Sequence, residues 1–397
     1  MTGIRLKSIK YRELQGKERA WSLDELALGS INLLVGKNAT GKTRVITIID
    51  NLAKCFLREG NLAFHEGGYD VEFSDGETIT RYELVVEDGK VMRERLTVNG
   101  DEKLFRDSRL MKIWADELRQ RISMHPSDTQ IAAVARRDDL QHPFLNPLHD
   151  WANTVRVYHF GARLGKDSFC LTVDNSAGNV VSNLQQQNDR DEDAIVATYR
   201  KARIEFGEPY DQAVISDMNS LGYRLSAVDV SPPVGMKFAT NVPVQGVVNA
   251  IAIQEDGVEG WIHQHAISQG MFRTFSIIAQ VNYSLMSNRA SCILIDDIGE
   301  GLDFERSTKL VELLRVKASK SDFQLIMTTN DQFVMNHVPL DEWSVLHRDG
   351  SRISVRNIEN SRPQFEEFKF IGLTNFSFFE LDYLNAGSGT LEAVAHE

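Results

Sequence analysis

The chain has 397 residues, 42% of them hydrophobic and 25% charged, with a formal net charge of −12. This length allows two or three compact units or one large domain with insertions, and this composition excludes the disordered and fibrous classes. The acidic balance opposes broad attraction to nucleic acid or anionic membrane, so DNA contact would have to be local, and no stretch approaches the ~20 apolar residues that cross a bilayer.

Cys55, Cys170 and Cys292 lie far apart, and two of them sit inside apolar runs. This predicts buried thiols in a reducing cytoplasm, not a disulfide framework or a zinc site. The opening Met1-Thr2-Gly3-Ile4-Arg5-Leu6-Lys7 has no apolar signal core, so neither export nor membrane insertion is expected. Apolar residues alternate at Ile4, Leu6 and Ile9, and Ile31–Val35 reads as a buried strand ending at Gly36. Val45, Ile46, Ile48, Ile49, Leu52, Ala53, Phe56 and Leu57 then follow at helical spacing.

Residues 71–100 alternate as antiparallel strands do, with Asp75-Gly76 and Asp88-Gly89 as hairpin turns. Between 101 and 244 the pattern is mixed, with helices expected near 107–122 and 191–206 and an exposed polar run Gln185–Asp193. Strands return at Val247–Ile253 and Gly260–Ile267, a helix at about 270–286, and a buried strand at Cys292–Ile295 that ends in Asp296-Asp297. A helix near 305–319 leads to a third buried strand, Gln324–Thr329. The expected fold is α/β, with a parallel core sheet, an antiparallel β subdomain and a mostly helical insertion. The expected divisions are 1–100, 101–244 for the insertion, 245–360, and an aromatic-rich tail at 361–397. Phe365, Phe368, Phe370, Phe376, Phe378, Phe379 and Tyr383 in that tail are expected chiefly to cover the chain's own core.

Gly36-Lys37-Asn38-Ala39-Thr40-Gly41-Lys42-Thr43, followed by Arg44, lies between a strand and a helix. Glycines there let backbone wrap a phosphate, loop amides and the helix dipole attract anionic oxygens, Lys42 adds positive charge, and Thr43 offers a hydroxyl to Mg²⁺. The metal needs a carboxylate at the end of another buried strand, which points to Asp296. Asp297 follows where a water-positioning group is expected, with Glu300 and Asp303 just beyond. His263 and His265 form the one other metal-like pair, and a packed or solvent-facing strand accounts for them better.

With these motifs in view, the chain resembles the ABC-type ATPase superfamily, in its soluble branch of SMC, RecF-like and overcoming-lysogenisation-defect (OLD) ATPases. The resemblance covers about 1–60 and 245–350. It rests on the phosphate loop, Ile267-Ser268-Gln269-Gly270-Met271-Phe272, Ile293-Leu294-Ile295-Asp296-Asp297, Gly301-Leu302-Asp303 and Met327-Thr328-Thr329-Asn330, in that order. It implies that Ser268 and Gly270 begin a signature helix meeting the γ-phosphate held by a second protomer, so that two chains sandwich two ATPs head to tail. Two positions depart from the family. Asp297 stands where Glu is usual, and Asn330 stands at the switch position usually held by His. Asp reaches less far and Asn carries no titrating proton near neutral pH, so slow turnover is expected. The glutamine by which the family usually contacts magnesium has no identifiable counterpart in this sequence, and His159 offers only a weak positional substitute.

The resemblance thus implies an ATP- and Mg²⁺-dependent ATPase that self-associates as a dimer or higher oligomer. It would serve as a sensor or regulatory subunit, in the anti-phage setting of OLD-type proteins, for an effector such as a nuclease. Too few residues follow the last strand, near Val345, to form a toprim nuclease domain, so the effector is expected on another polypeptide. Two other readings stand beside this one: a RecF-like repair ATPase that binds DNA directly, and a non-hydrolysing scaffold cemented by ATP.

Overall fold

The computed structural model describes residues 4–57, 62, 64–174, 180–182, 191–235, 246–289, 292–321 and 323–386. The chain forms two compact units, one from Met1–Val155, Ser291–Asp296 and Ala318–Glu397, the other from Arg156–Ala290 and Asp297–Lys317. Among the described residues no helix is long and apolar enough to cross a membrane.

The first unit opens with β1 (Arg5–Glu13), β2 (Trp21–Ala27) and β3 (Ile31–Val35), then α1 (Lys42–Leu57). β1 buries Leu6, Ile9 and Tyr11, while β3 is buried from Asn32 to Val35. An antiparallel meander follows: β4 (Gly67–Ser74), β5 (Ile79–Glu87), β6 (Lys90–Val98), β7 (Asp101–Asp107), β8 (Leu110–Ala115) and β9 (Gln120–Met124). Asp88 and Gly89 both take positive φ, 47° and 69°, as a two-residue hairpin turn demands. The helix expected near 107–122 is not formed; those residues lie in and around β8 and β9. Met111, Ile113 and Ala115 are buried at every second position, and Asn99-Gly100 is another hairpin turn, so the meander simply continues past residue 100. Short helices α2 (Ala132–Ala135) and α3 (Asn146–Thr154) come next, both packing against α1.

Inside this meander Glu94 and Arg106 are fully buried. Glu94 accepts hydrogen bonds from the Tyr82 hydroxyl at 2.9 Å and from the Ala132 and Ala133 amides at 2.7 and 2.8 Å. Arg106 lies 3.9 Å from Glu94 and donates to the Gln130 and Ser127 carbonyls, each at 2.7 Å.

β10 (Val155–His159) leads into the second unit, which holds β11 (Cys170–Asp174), β12 (Val180–Ser182), α4 (Ile195–Phe206), α5 (Glu208–Ser220), β13 (Leu225–Ser231), β14 (Val247–Glu255) and β15 (Ile262–His263). Its sheet runs β12-β11-β14-β13, with β15 also on β14. α6 (Gln269–Met286) packs against α4 and α5, and α7 (Phe304–Ser321) begins in this unit. Residues 185–190 of the polar run Gln185–Asp193, expected to be exposed, lie outside the described residues.

The chain then supplies the rest of the first unit: β16 (Cys292–Asp296), β17 (Gln324–Thr328), α8 (Gln332–His337), β18 (Trp343–Asp349), β19 (Arg352–Asn357), α9 (Ile358–Lys369), α10 (Asn375–Glu380) and α11 (Tyr383–Ala386). From β16 the sheet order is β16-β17-β3-β18-β19-β2-β1-β4-β5-β6-β7-β8-β9. β16, β17, β3 and β18 are mutually parallel, and β16 and β17 are buried at every residue, as central parallel strands are. Phe365, Phe368, Phe378 and Tyr383 are buried against one another, whereas Phe370 is 89% exposed. Cys55, Cys170 and Cys292 are buried free thiols, and burial pushes Cys292 up to about 12.

Candidate nucleotide-binding site

In the first unit β3 ends at Val35, the loop turns through Gly36–Gly41, and α1 starts at Lys42. A Cβ on Gly36 would lie 2.6 Å from Thr40 Oγ1 and 3.0 Å from the Leu346 carbonyl, so only glycine fits without moving backbone. Gly41 has φ +102°, and a Cβ there would sit 3.3 Å from the Trp21 ring. Ala39 also takes positive φ, 63°. The turn is pinned by the Thr40 amide and hydroxyl, which donate to the Lys37 carbonyl at 3.2 and 2.9 Å. Alternating backbone of this kind turns successive N–H groups toward one concavity, and the start of α1 adds the amides that a helix leaves without intrahelical partners.

Lys42 is 6% exposed, and its ammonium folds back on the loop, donating to the Gly36 carbonyl at 2.8 Å. The charge is thus held over the mouth of the loop by the loop itself. Thr43 and Arg44 are exposed at the first turn of α1. Arg44 lies 4.5 Å over the Trp21 ring and pairs with Glu13. Desolvation there lowers the Arg44 guanidinium from its ordinary value, with no loss of charge at neutral pH.

The parallel register lines up the carboxyl ends of three strands. Thr328 pairs with Leu34 of β3, and Met327 pairs with Ile295 just before Asp296. Asp296 is 5% exposed and accepts a hydrogen bond from the Thr328 hydroxyl at 2.6 Å. Leu34, Thr328 and Asp296 therefore stand in one row, with Gly36 two residues beyond Leu34, at the edge of the sheet where a ligand of an open α/β fold sits. Asn330 is exposed one residue past Thr329, and Asp331 caps α8 by accepting from the Phe333 and Val334 amides. Thr328→Val should cost about 1–3 kcal/mol of stability, because the buried Asp296 oxygen loses its donor. An unchanged urea midpoint in that variant would remove Thr328 from the argument.

The remaining candidates lie in the second unit. Asp297 is half-buried with φ 53°, a left-handed backbone that Asp tolerates better than most residues. Glu300 is exposed, its amide donating to the Asp297 carbonyl at 3.2 Å and its carboxylate packed where a Cβ on Gly161 would be 2.4 Å away. Ser268 caps α6, accepting from the Met271 amide at 3.3 Å. A Cβ on Gly270 would meet Leu302 at 3.2 Å and the Gly301 carbonyl at 3.3 Å, which explains a glycine in the first turn of that helix. Asp303 caps α7 by accepting from the Arg306 amide at 3.0 Å and pairs with the Arg306 guanidinium at 2.7 Å, and these bonds hold its carboxyl below the usual range. His159 pairs with Glu192 at 2.8 Å, and the His263 and His265 rings stack 6.5 Å apart. Among the described residues no group of three or more His, Cys, Asp or Glu side chains is placed to hold a metal ion.

Sequence reasoning did not single out Trp21, Glu13, Arg273 or Arg348. Arg273 on α6 donates to the Ala162, Gly161 and Glu300 carbonyls, tying the start of α6 to the turns at Gly161 and Glu300. Arg348, near the end of β18, donates to the Ala39 carbonyl at 3.0 Å and braces the phosphate loop from outside. Neither has a local signal, since their partners are distant in sequence.

The family described as "AAA domain, putative AbiEii toxin, Type IV TA system" matches residues 31–336, from the first residue of β3 into α8. The chain belongs to this family. An AAA domain is a P-loop ATPase module, and this chain carries its loop with the strand and helix that the chemistry requires. Among solved structures the chain is similar to an Smc head bound to the C-winged helix domain of ScpA, with TM-score 0.52 and 12% identity over 92% of this chain and 99% of that one. It is also similar to an Smc head with extended coiled coil bound to the C-terminal domain of ScpA from Pyrococcus furiosus, with TM-score 0.46 and 11% identity over 92% and 100%. The SMC head domain from Thermotoga maritima gives TM-score 0.44 and 13% identity over 89% and 98%. The first of these likenesses shows the ABC-type P-loop fold. No curated protein matches the sequence.

Proposed function

We propose that this member of the AAA-domain family binds and slowly hydrolyses ATP with Mg²⁺, and that it works as a nucleotide-gated regulatory subunit of a separately encoded, nuclease-like effector in anti-phage defence. The observation that carries the nucleotide reading is the row Leu34, Thr328 and Asp296, with the loop opening just past Leu34 and the Lys42 ammonium held against that loop. Backbone amides of Lys37–Thr43 cradle the β- and γ-phosphates, and Lys42 neutralises their oxygens. The Thr43 hydroxyl in the first turn of α1 and the Asp296 carboxylate at the end of β16 are hard oxygen donors, which suits Mg²⁺ bound by one or two protein oxygens. When bound, the metal neutralises charge on the phosphate oxygens.

Asp297, helped by Glu300, positions the attacking water, and Asn330 hydrogen-bonds it without exchanging a proton. Ser268, Gly270 and Asp303 serve a second copy of the chain, so ATP draws two heads together head to tail. The toxin–antitoxin wording of the family description supports a chain that works beside a second gene product.

Turnover of Mg-ATP and mass in solution test this together. Asp297→Asn should keep nucleotide affinity, lower turnover by about 100-fold or more, and accumulate an ATP-dependent dimer. Normal turnover in that variant would move the water-positioning role to Glu300, and strong stimulation of the wild type by duplex DNA would favour a repair ATPase.

A further inference from the structure

A cleft of about 750 Å³ opens in the first unit beside the phosphate loop, lined also by the β18–β19 hairpin and the C-terminal helices α10 and α11. Loop residues Lys37–Thr40 form one wall. On β19 the residues at alternate positions, Arg352, Ser354 and Arg356, face the cleft, while Ile353, Val355 and Asn357 are buried behind them. Opposite Ser354 in the hairpin register is His347, and Phe379 and Asp382 line the far wall.

The cations of this cleft divide by what they already hold. Arg352 forks onto Asp24, and Arg348 is spent on the Ala39 and Gly350 carbonyls. Lys37 and Arg356 make no ion pair among the described residues, although the chain carries a net charge of −12 and carboxylates are plentiful. Two unspent cations and an aromatic ring lining one concavity, within the roughly 300–1,000 Å³ range of small-molecule sites, suit a compact phosphate ester. Asp349 and Asp382 in the same lining oppose a continuous polyanion and offer acceptors to hydroxyl or amino groups.

The geometry points to a second ligand site in this cleft for a nucleoside monophosphate, distinct from the phosphate loop's own cradle and coupled to it. Arg356 and Lys37 hold the phosphate, the base lies against Phe379, and Asp382 accepts from the sugar or base. Coupling follows from connectivity. The Lys37 carbonyl receives both Thr40 hydrogen bonds and the Lys42 ammonium at 3.4 Å, and Arg348 from the hairpin holds Ala39. An occupant that fixes Lys37 and the hairpin steadies the loop and raises its nucleotide affinity, and by linkage ATP raises affinity for the occupant. This coupling rests on the nucleotide reading above, whereas the cleft's own binding does not.

The test is calorimetric titration with adenosine 5′-monophosphate and, separately, with ADP. The monophosphate should bind wild type and Lys42→Ala alike, and Arg356→Glu or Arg356→Gln should weaken it by about 10-fold or more while leaving ADP affinity unchanged. Saturating monophosphate should tighten ADP about 5-fold or more in the wild type. No monophosphate binding at millimolar concentration, binding lost in Lys42→Ala, or binding indifferent to both Arg356 variants would each overturn the proposal. A short single-stranded oligonucleotide that binds far more tightly than the monophosphate, and depends on Arg356, would replace it with a nucleic-acid site. Absence of ADP binding with monophosphate binding intact would sink the nucleotide reading of the loop and leave the cleft standing.

Discussion

Lys42→Ala should abolish measurable ATP turnover and weaken Mg-ATP binding by about 100-fold or more, the scale set by removing one preorganised charge from a site built around developing negative charge. The expectation follows from where the ammonium sits. At 6% exposure it is already desolvated and is held by the Gly36 carbonyl at 2.8 Å, so little reorganisation is needed when phosphate oxygens arrive. Alanine removes the charge without disturbing the glycine-dependent backbone, since the packing at Gly36 and Gly41 involves Thr40, Leu346 and Trp21. The fold should therefore survive, with the thermal midpoint near that of the wild type. Full turnover in the variant would show that the loop is not where ATP is used.

Glu94→Ala should destabilise the first unit by about 3–5 kcal/mol, the cost of leaving a buried charge without its partner. Arg106 would keep its bonds to the Ser127 and Gln130 carbonyls but would face no anion, and the Ala132 and Ala133 amides and the Tyr82 hydroxyl would lose their acceptor. A urea-unfolding shift below about 1 kcal/mol would show that water or relaxation replaces Glu94. The pH dependence has a definite sign. Burial raises Glu94 above its ordinary value of 4.5, so the folded chain holds that proton more tightly than the unfolded one. Its contribution favours folding below about 4.5 and is lost as pH rises through the higher folded value. Glu94→Ala should therefore flatten the stability profile above pH 4.5 relative to the wild type.

The parts of the fold written in local pattern were legible. Ile31–Val35 and the helical spacing after residue 45 placed the loop between β3 and α1, and the buried runs at 292–295 and 324–329 became β16 and β17. Asp88-Gly89 declared its hairpin because both residues must take positive φ. The segment 107–122 reads as a helix because Leu110, Trp114 and Leu118 also fall at helical spacing, and its turns at Ser108 and Arg119 use non-glycine residues with positive φ, which leave no compositional mark. Asp296 was visible as a carboxylate ending a buried strand, but its donor Thr328 became apparent only through the β16–β17 register. Trp21 beneath Gly41 and Arg348 on Ala39 were invisible for a stronger reason. They meet the loop only because strands from both ends of the chain share one sheet.

That shared sheet governs the order in which the molecule can come into being. Asn32 on β3 bonds to the Leu325 carbonyl 293 residues away, and Arg348 reaches Ala39 across 309 residues. During synthesis the phosphate-loop segment emerges early, and the meander of β4–β9 can zip up from neighbouring hairpins behind it. β3 meanwhile has neither of its parallel neighbours. At ribosomal rates of about 5–20 residues per second, roughly 15–60 s separate the appearance of the loop from that of β17 and β18. A nascent or prematurely terminated chain would thus carry every residue of the phosphate loop and still be unable to hold ATP.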